Sequence, residues 1–509
     1  MSTTPPGSPS ADPVPDGRAR VTTASAWTWL PGAAGGLVVL VAFGAYVSHL
    51  LPGVGFWDTA IFQAAPPVLG LTHPTGYPTY LLLGWAWTTV LPFGDPAFEL
   101  NLLTAVVSAG AVGMVFALGR SIGAGVPAAA AAALTFGFGM NAWRTAIRAD
   151  PHPLHVLLGL AVLVLLIEWR KRDGDRRFLV AAALLFGLAL GNHALTAMLA
   201  PAIGLFVLAT RPSVLGRPRD VAMASGALLA GLLVYLYIPL RAAANPSIRY
   251  DYAPATWDLF WRYVLGRDFV GGMKFLSPDG PGQAAAEFGV FAGRVGEAYS
   301  LPIAAGLAWL ALVGFLALAG RRDGGPIALL LGLGGGLTLY ARLTYANGDI
   351  ERYALLPLAV IAALAALGAQ AVATRVLPDR VPAASLTAAL LVVPVALFAL
   401  NTDRVRPSSA GCFVDAVVAE APQDTLLVSW WSYSTPIWYA QAVDGARPDI
   451  EVLNAGGHQV VDVVGAHATD GRPILLIQFE ADLGAVRDSG HTLDEVRFCG
   501  VSAWSVALP

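Results

Sequence analysis

The chain has 509 residues, of which 56% are hydrophobic and 13% are charged, and its formal net charge is −3. Because a soluble domain usually carries about 25% charged residues, this composition excludes an ordinary soluble protein. The slightly negative charge also argues against a nucleic-acid partner, which would require a basic surface. The composition therefore predicts an all-α polytopic membrane protein embedded in a lipid bilayer.

The N-terminal residues 1–27 are rich in Pro, Ser, Gly and Asp, and we predict that they form a disordered cytoplasmic tail. Apolar segments of about the length that a helix needs to cross a bilayer then follow one another, and we assign residues 28–400 to a transmembrane domain. Twelve segments qualify or nearly qualify: 30–51, 77–92, 100–119, 126–142, 153–169, 178–193, 195–210, 221–240, 300–319, 325–341, 354–372 and 382–400.

Basic residues in short loops indicate which ends of these segments face the cytoplasm. The strongest basic loop is RKRDGDRR, and three more basic loops include Arg211, Arg321 and Arg375 with Arg380. If these four loops are cytoplasmic, the loops between them face outward together with the C-terminal region. One of the three segments between residues 77 and 142 must then fail to cross. We therefore predict about 11 transmembrane helices, with a range of 11–13.

Two regions outside the apolar segments have a composition of their own. Residues 241–299 mix aromatic and charged side chains, which is typical of an amphipathic helix at the membrane surface. Residues 401–509 predict a small extracytoplasmic α/β domain, with strands at 425–430, 449–454 and 473–479 and a helix at 435–443.

The two cysteines of the chain, Cys412 and Cys499, lie near the two ends of this α/β domain. An oxidising compartment would permit a disulfide between them. The alternative is a pair of buried thiols.

The first outer loop, residues 53–80, contains two groups of candidate functional residues. Asp58 is an isolated carboxylate beside the first span, and the turn-rich run HPTGYP contains His73 and Tyr77. Ionisable residues at a membrane edge are costly to bury, which makes them functional candidates. The alternative for Asp58 is an interfacial anchor or a helix N-cap.

The second outer loop, RTAIRADPHPLH, brings Arg148, Asp150, His152 and His155 close together in the sequence. The i, i+3 spacing of the histidines would suit a metal pair on a helix. Prolines on both sides of His152 weaken the helical interpretation. A solvated turn and a set of polar residues at a cavity therefore remain as alternatives.

Three later motifs add polar residues at the ends of apolar segments. His193 belongs to GNH, where it could bind substrate or form a hydrogen bond between helices. Arg241 and Asn245 lie in YIPLRAAANP, and an arginine fork matches phosphate oxygens, although it could also anchor a helix at the membrane surface. Asp349 and Glu351 lie in DIERY, where a pair with arginine could be structural.

These candidates share one predicted face of the membrane. The orientation fixed by the basic loops places outside Asp58, His73, Asp150, His193, Arg241, Asp349 and Glu351. We therefore expect a polar cavity that opens outward beneath the α/β domain.

The runs WDTAIF, HPTGYP, GNH, YIPLRAAANP and DIERY occur in the order found in a bacterial membrane family of unknown function, which this chain resembles. That family has an animal relative that acts as a protein O-mannosyltransferase of the endoplasmic reticulum. The resemblance extends from about residue 30 through the C-terminal run APQDTLLVSWWSYSTPIWYAQAVDGARPDI. The chain departs from the family pattern at Ile61, where relatives have glutamate.

The resemblance implies a GT-C-type glycosyltransferase in the cell membrane. Such an enzyme transfers sugar from a polyprenyl-phosphate-linked donor to an acceptor hydroxyl of a protein or glycan on the outer side. It implies Asp58 as the catalytic acid or base. A divalent cation is left open as a cofactor, although no set of ligands in the sequence demands one.

The chemistry of such a transfer needs a base near the nucleophile and positive charge near the departing phosphate. We expect Arg241 or Arg148 to bind that phosphate. The full set of expected substrate-binding residues is His73, Tyr77, Arg148, Asp150, His193, Arg241, Asn245, Asp349 and Glu351. Two alternatives remain for the function, a non-catalytic membrane scaffold or binding protein and a transporter of a lipid-linked substrate.

Overall fold

The structure is a computed structural model that describes residues 30–92, 94–249, 252–376 and 382–507. The predicted tail at 1–27 and the basic residue Arg380 lie outside the described residues.

The first half of the described chain consists of helices joined by short loops. In chain order they are α1 (Leu30–Val47), α2 (Asp58–Ala64), α3 (Pro78–Val90), α4 (Pro96–Ser121), α5 (Val126–Phe138), α6 (Met140–Ala146), α7 (His152–Lys171), α8 (Arg176–Asn192), α9 (Ala200–Thr210), α10 (Pro218–Leu232) and α11 (Tyr237–Ala243). Proline at the first or second helical position, as in α3, α4 and α10, fits these starts because its missing N–H has no partner there in any helix.

The helical domain continues with α12 (Trp257–Val264), α13 (Gly280–Tyr299), α14 (Leu301–Ala319), α15 (Gly325–Leu343), α16 (Leu355–Val376), α17 (Ala383–Ala389) and α18 (Val392–Asn401). All twelve predicted apolar segments therefore coincide with helices. Within the described residues, seven helical stretches are long and apolar enough to cross a membrane: Pro96–Ser121, His152–Lys171, Pro218–Ala243, Leu301–Ala319, Gly325–Leu343, Ile350–Val376 and Ala383–Asn401. Three apolar stretches are shorter, at Gly32–Val47, Val126–Phe138 and Ala194–Thr210.

The short helix α3 accounts for the conflict in the predicted topology. Its 13 residues span only about 20 Å, which is less than the roughly 30 Å of a bilayer core. Near the start of α4, Asn101 donates to the carbonyl of Leu51, just beyond α1, at 2.9 Å, and it accepts from the backbone of Ala149 at 2.8 Å. The chain thus leaves α1 and enters α4 at the same end of the bundle, which favours α3 as the predicted segment that fails to cross. Eleven crossings remain the prediction.

Helix α16 lies at the centre of the bundle, and its apolar residues are buried over most of its length. It approaches α14 closely at Gly314 and Gly368. A Cβ at Gly314 would lie 2.0 Å from the carbonyl oxygen of Leu364, and one at Gly368 would lie 1.9 Å from that of Leu310. Small residues therefore allow these two backbones to meet, as is common in membrane bundles.

The region between α11 and α14 is only partly as expected. The predicted amphipathic helix is present as α12, which has eight residues and leaves Trp257 75% exposed. The 20-residue helix α13 follows it and was not predicted.

The C-terminal region forms a five-stranded sheet with helices packed against it. The strands are β1 (Leu426–Ser429), β2 (Glu451–Asn454), β3 (Ile474–Ile477), β4 (Thr492–Phe498) and β5 (Val501–Ala507), and the helices are α19 (Gly411–Glu420), α20 (Trp431–Ala442), α21 (His458–His467) and α22 (Glu480–Asp488). The strand order is β2-β1-β3-β5-β4, with β2, β1 and β3 parallel and the remaining pairs antiparallel.

The three predicted strands and the predicted helix are confirmed in this region, whereas the β4–β5 hairpin was not anticipated. Strands β1 and β3 are buried throughout, which explains why their apolar runs were easy to recognise. Cys412 in α19 and Cys499 in the β4–β5 turn form a disulfide, with their Cα atoms 5.8 Å apart. Of the two alternatives for the cysteines, the structure has the bonded one.

Candidate active site

A cavity of about 660 Å³ lies between the helical bundle and α20, a size typical of ligand pockets. Its walls come from the first loop, the start of α7, the turn after α8, the segment 265–276 and the loop before α16. Its polar lining includes a cluster formed by Asp58, Asp349 and Arg352, called the polar end below, together with Asn347 and Asn454. The 265–276 wall is apolar, with Leu265, Phe269, Val270, Met273 and Leu276.

Arg352 is the centre of the polar end. Its guanidinium contacts Asp58 through Nη2, Asp150 through Nη1 at 3.2 Å and Asp349 through Nε at 3.6 Å. The Arg352 side chain is 8% exposed and that of Asp150 only 2% exposed. Arg148 adds a second cation through its contact with Asp349 at 3.1 Å. One buried arginine therefore joins carboxylates from three separate loops.

Asp58 is held at both oxygens. Oδ2 accepts from Arg352, and Oδ1 accepts from the indole N–H of Trp431 at 2.8 Å. Burial raises the pKa of Asp58. The Arg352 guanidinium, His73 and these two hydrogen bonds lower it by a larger amount, so that the pKa is about 2. Asp58 is therefore a carboxylate at neutral pH, with lone pairs left to accept another hydrogen bond.

Helix α20 binds the first loop and the start of α4 through three side chains spaced four residues apart. Trp431 donates to Asp58, the Thr435 hydroxyl donates to the carbonyl of Trp57 at 2.8 Å, and Tyr439 donates to Asp95 at the start of α4. Trp57 has φ 59° and ψ −145°, a backbone conformation that is costly for residues other than glycine. The C-terminal domain therefore helps to hold the strained turn that presents Asp58.

Asp150 and His152 form a second polar pair at the start of α7. Oδ1 of Asp150 accepts from both the backbone N–H and the Nδ1 of His152, each at 2.8 Å. Burial raises the pKa of Asp150, but His152 and the Arg352 guanidinium lower it well below its usual range. His152 lines the cavity, whereas Asp150 lies behind it.

His73 and Tyr77 line the cavity beside Asp58. Nε2 of His73 contacts the Tyr77 hydroxyl at 3.2 Å, and Phe62 packs edge-on against both rings. Burial lowers the pKa of His73 despite the nearby Asp58 carboxylate, so its imidazole is neutral at pH 7.

The predicted catalytic and substrate-binding residues separate into three groups. The cavity is lined by Asp58, His73, Tyr77, His193 and Asp349. Arg148 and Asp150 do not line it, but each is paired with a residue that does.

The remaining three predicted residues are bound elsewhere. Nε of the half-buried Arg241 donates to the carbonyl of Leu69 at 2.7 Å, and the exposed Asn245 accepts from Arg249. Glu351 pairs with the buried Arg342 at 2.7 Å and with Arg294. The structure therefore does not bring Arg241, Asn245 or Glu351 to the cavity.

The described residues include no group of three or more His, Cys, Asp or Glu side chains arranged to hold a metal ion. The two histidines considered as a metal pair have other partners, since His152 binds Asp150 and Nδ1 of His155 contacts the Thr196 hydroxyl at 2.9 Å.

Sequence reasoning gave too little weight to three cavity residues: Arg352, Tyr353 and Trp431. Arg352 and Tyr353 belong to the DIERY run, and an arginine beside acidic residues at a membrane edge could have been ranked as a buried cation. Trp431 lies 373 residues from its partner Asp58 and has no local sequence signal of this contact.

Comparisons with known proteins support a relationship to glycosyltransferases. Residues 58–215 match the family described as the N-terminal domain of the protein O-mannosyl-transferase TMEM260. Mouse TMEM260, a protein O-mannosyl-transferase, is 30% identical over 239 residues, which cover 43% of this chain and 32% of the mouse protein. The chain thus aligns with about a third of the length of that relative.

Two solved structures share the fold over nearly the whole chain. ArnT from Cupriavidus metallidurans, bound to undecaprenyl phosphate, has a TM-score of 0.59 at 13% identity and covers 96% of this chain and 98% of its own. The oligosaccharyltransferase of Archaeoglobus fulgidus, in complex with Zn and sulfate, has a TM-score of 0.54 at 14% identity and covers 92% and 72%. At these identities the likeness concerns the fold. The chain is therefore a multi-pass membrane protein of GT-C fold, and its residues 58–215 are related to the N-terminal domain of the TMEM260 protein O-mannosyl-transferases.

Proposed function

We propose that this protein is a membrane glycosyltransferase that moves a sugar from a polyprenyl-phosphate-linked donor to an acceptor hydroxyl outside the cytoplasm. The observation that carries the proposal is the position of Asp58, an ionised carboxylate at the polar end of a cavity with an apolar wall. Asp58 is also the first residue of the segment that matches the TMEM260 family.

Asp58 acts as the base. The acceptor hydroxyl donates a hydrogen bond to the carboxylate while its oxygen attacks the anomeric carbon of the donor. As the new C–O bond forms, the hydroxyl proton becomes acidic and passes to Asp58, so a carboxylate with a low pKa is an adequate acceptor late in the step. The bond from the anomeric carbon to the phosphate oxygen breaks, and the electron pair leaves with the polyprenyl phosphate.

The cavity walls suit the two parts of such a donor. The apolar segment 265–276 offers a surface for a polyprenyl chain, and Leu276 in it is 91% exposed. Among the described residues that line the cavity, Arg352 alone is an arginine or lysine. We therefore assign to Arg352, instead of the predicted Arg241, the stabilisation of the negative charge on the departing phosphate. The structural likeness to ArnT, solved with undecaprenyl phosphate, supports this class of donor.

The proposal also specifies an orientation. The loops that carry the site and the C-terminal domain lie outside the cytoplasm, as the basic loops predict. The Cys412–Cys499 disulfide fits this side because oxidising compartments preserve such bonds.

The direct test is transfer by the purified protein in lipid nanodiscs. It would be supplied with a panel of polyprenyl-phosphate hexoses and pentoses, together with serine- and threonine-rich peptides or oligosaccharides as acceptors. Release of polyprenyl phosphate and sugar-labelled acceptor would be measured by mass spectrometry, with empty nanodiscs as control. Donor binding without turnover would favour a scaffold, and movement of intact donor between leaflets would favour a transporter.

Replacing Trp431 with Phe tests the contact between α20 and Asp58. The change keeps the aromatic ring but removes the N–H, and we expect the transfer rate to fall about 10-fold, the effect of losing about 1.4 kcal/mol of stabilisation. Because that hydrogen bond lowers the pKa of Asp58, its removal should raise this pKa. The transfer rate of the variant should therefore begin to fall at a higher pH than that of the wild type as the solution is acidified. Trp438→Phe on the same helix is the matched control. An unchanged pH profile in Trp431→Phe would contradict the positioning role.

A further inference from the structure

Two buried histidines that line the cavity have complementary free nitrogens. The His152 and His193 side chains belong to α7 and to the turn after α8, and these residues are 2% and 5% exposed. Their ring centroids lie 4.5 Å apart. Neither Nε2 has a hydrogen-bond partner within the described structure, so the rings do not bond each other.

The neighbours of His152 determine where its proton lies. Nδ1 lies 2.8 Å from the Asp150 carboxylate, which can only accept, so Nδ1 carries a proton. Burial disfavours a second proton, which would give the ring a positive charge, and the neutral imidazole then has its lone pair on Nε2. His152 therefore has an unpaired hydrogen-bond acceptor within the wall of the cavity.

The neighbours of His193 determine the opposite tautomer. The backbone N–H of Leu195 donates to Nδ1 of His193 at 3.1 Å, so Nδ1 carries the lone pair. In the neutral ring Nε2 then carries the proton. His193 therefore has an unpaired hydrogen-bond donor in the same part of the wall, on a ring whose centroid lies 4.5 Å from that of His152.

A donor next to an acceptor selects the chemical class of its ligand. An anionic phosphate oxygen can accept from His193, but it meets the lone pair of His152. A hydroxyl group satisfies both, since its O–H donates to His152 and its oxygen accepts from His193. Leaving both nitrogens unpaired in a buried site is costly, which favours a ligand that pairs them.

Two tyrosine rings that line the cavity surround this pair. Tyr353 lies 4.9 Å from His152 and 5.4 Å from His193, and Tyr77 lies 5.6 Å from His193, all between ring centroids. Both tyrosines line the cavity. Aromatic faces carry partial negative charge, which suits the C–H bonds of a sugar ring.

We propose that His152 and His193 together bind one hydroxyl group of the donor sugar and so determine which sugar the protein accepts. This inference rests on the proposed function. A site built to hydrogen-bond a hydroxyl rejects the analogue that lacks it strongly, because the buried polar groups are left unpaired.

The test compares the sugar that is transferred best with each of its monodeoxy analogues, all as polyprenyl phosphates. For the wild-type protein we expect kcat/KM to fall at least about 100-fold for one deoxy position. His193→Met, which removes the donor, should lose most of this discrimination, and His193→Gln, which retains an N–H donor, should keep part of it. His152→Met should behave like His193→Met. His155→Gln controls for the loss of a buried histidine whose Nδ1 binds Thr196 instead.

Thermal stabilisation by each donor provides a second readout that does not need turnover. It should follow the same order of analogues and lose that order in the two methionine variants, with monodisperse elution showing that they fold. Equal use of all deoxy donors by the wild type, or full discrimination in both variants, would overturn the inference. Binding discrimination without any transfer would leave the hydroxyl site standing and reject the proposed function instead.

Discussion

Replacing Asp58 with Asn is expected to lower the transfer rate by about 10³-fold, within the range that positioned bases contribute to enzymatic rates. The change is nearly isosteric and retains an oxygen that can accept from Trp431 or Arg352. It removes the negative charge and the basic lone pairs that receive the hydroxyl proton. The measurement is single-turnover transfer at saturating donor, which isolates the chemical step from binding.

The matched control is Asp95→Asn, which changes a carboxylate that also binds α20 but caps α4 outside the cavity. We expect this variant to retain most of the transfer rate. If Asp58→Asn transfers sugar at the wild-type rate, Asp58 is not the base.

The sequence predicts the membrane domain well because its signal is local. A run of about 20 apolar residues is visible without knowledge of its neighbours, and all twelve runs are helical in the structure. The sequence does not show which run fails to cross. The indication comes from contacts that are distant in sequence, such as those of Asn101 at the start of α4 with Leu51 and Ala149.

The candidate site shows the same difference between local signals and contacts that are distant in the sequence. Asp58, His73, Tyr77, His193 and Asp349 could be selected because polar residues at the edges of apolar runs are conspicuous. Arg241 has the same appearance in the sequence, yet its guanidinium is occupied by the carbonyl of Leu69. Whether an arginine meets a ligand or a backbone carbonyl is determined by loop packing. Ile61, where the chain departs from the family pattern, is 2% exposed, packs in an apolar core and is not one of the residues that line the cavity.

Replacing Arg352 with Met should have the largest effect on stability. The methionine fills much of the same volume but leaves Asp150 buried and Asp58 partly buried without their shared cation. Removing one partner of a buried ion pair typically costs about 3–5 kcal/mol, because the remaining charge stays desolvated. We expect a loss of about this size in the free energy of unfolding, measured by denaturant titration in detergent micelles, together with loss of transfer.

Arg148→Met is the matched control, because the Arg148–Asp349 pair has side chains that are 30% and 50% exposed. Solvent screens such a pair, so its loss should cost at most about 1 kcal/mol. Neutralising Asp150 as well, in the double variant Asp150→Asn with Arg352→Met, should recover part of the lost stability, because it removes the carboxylate that the single change leaves unpaired. If Arg352→Met is no more destabilising than Arg148→Met, Arg352 does not hold the three loops together. Its contacts with Asp58 and Asp150 would then orient the carboxylates without stabilising the fold.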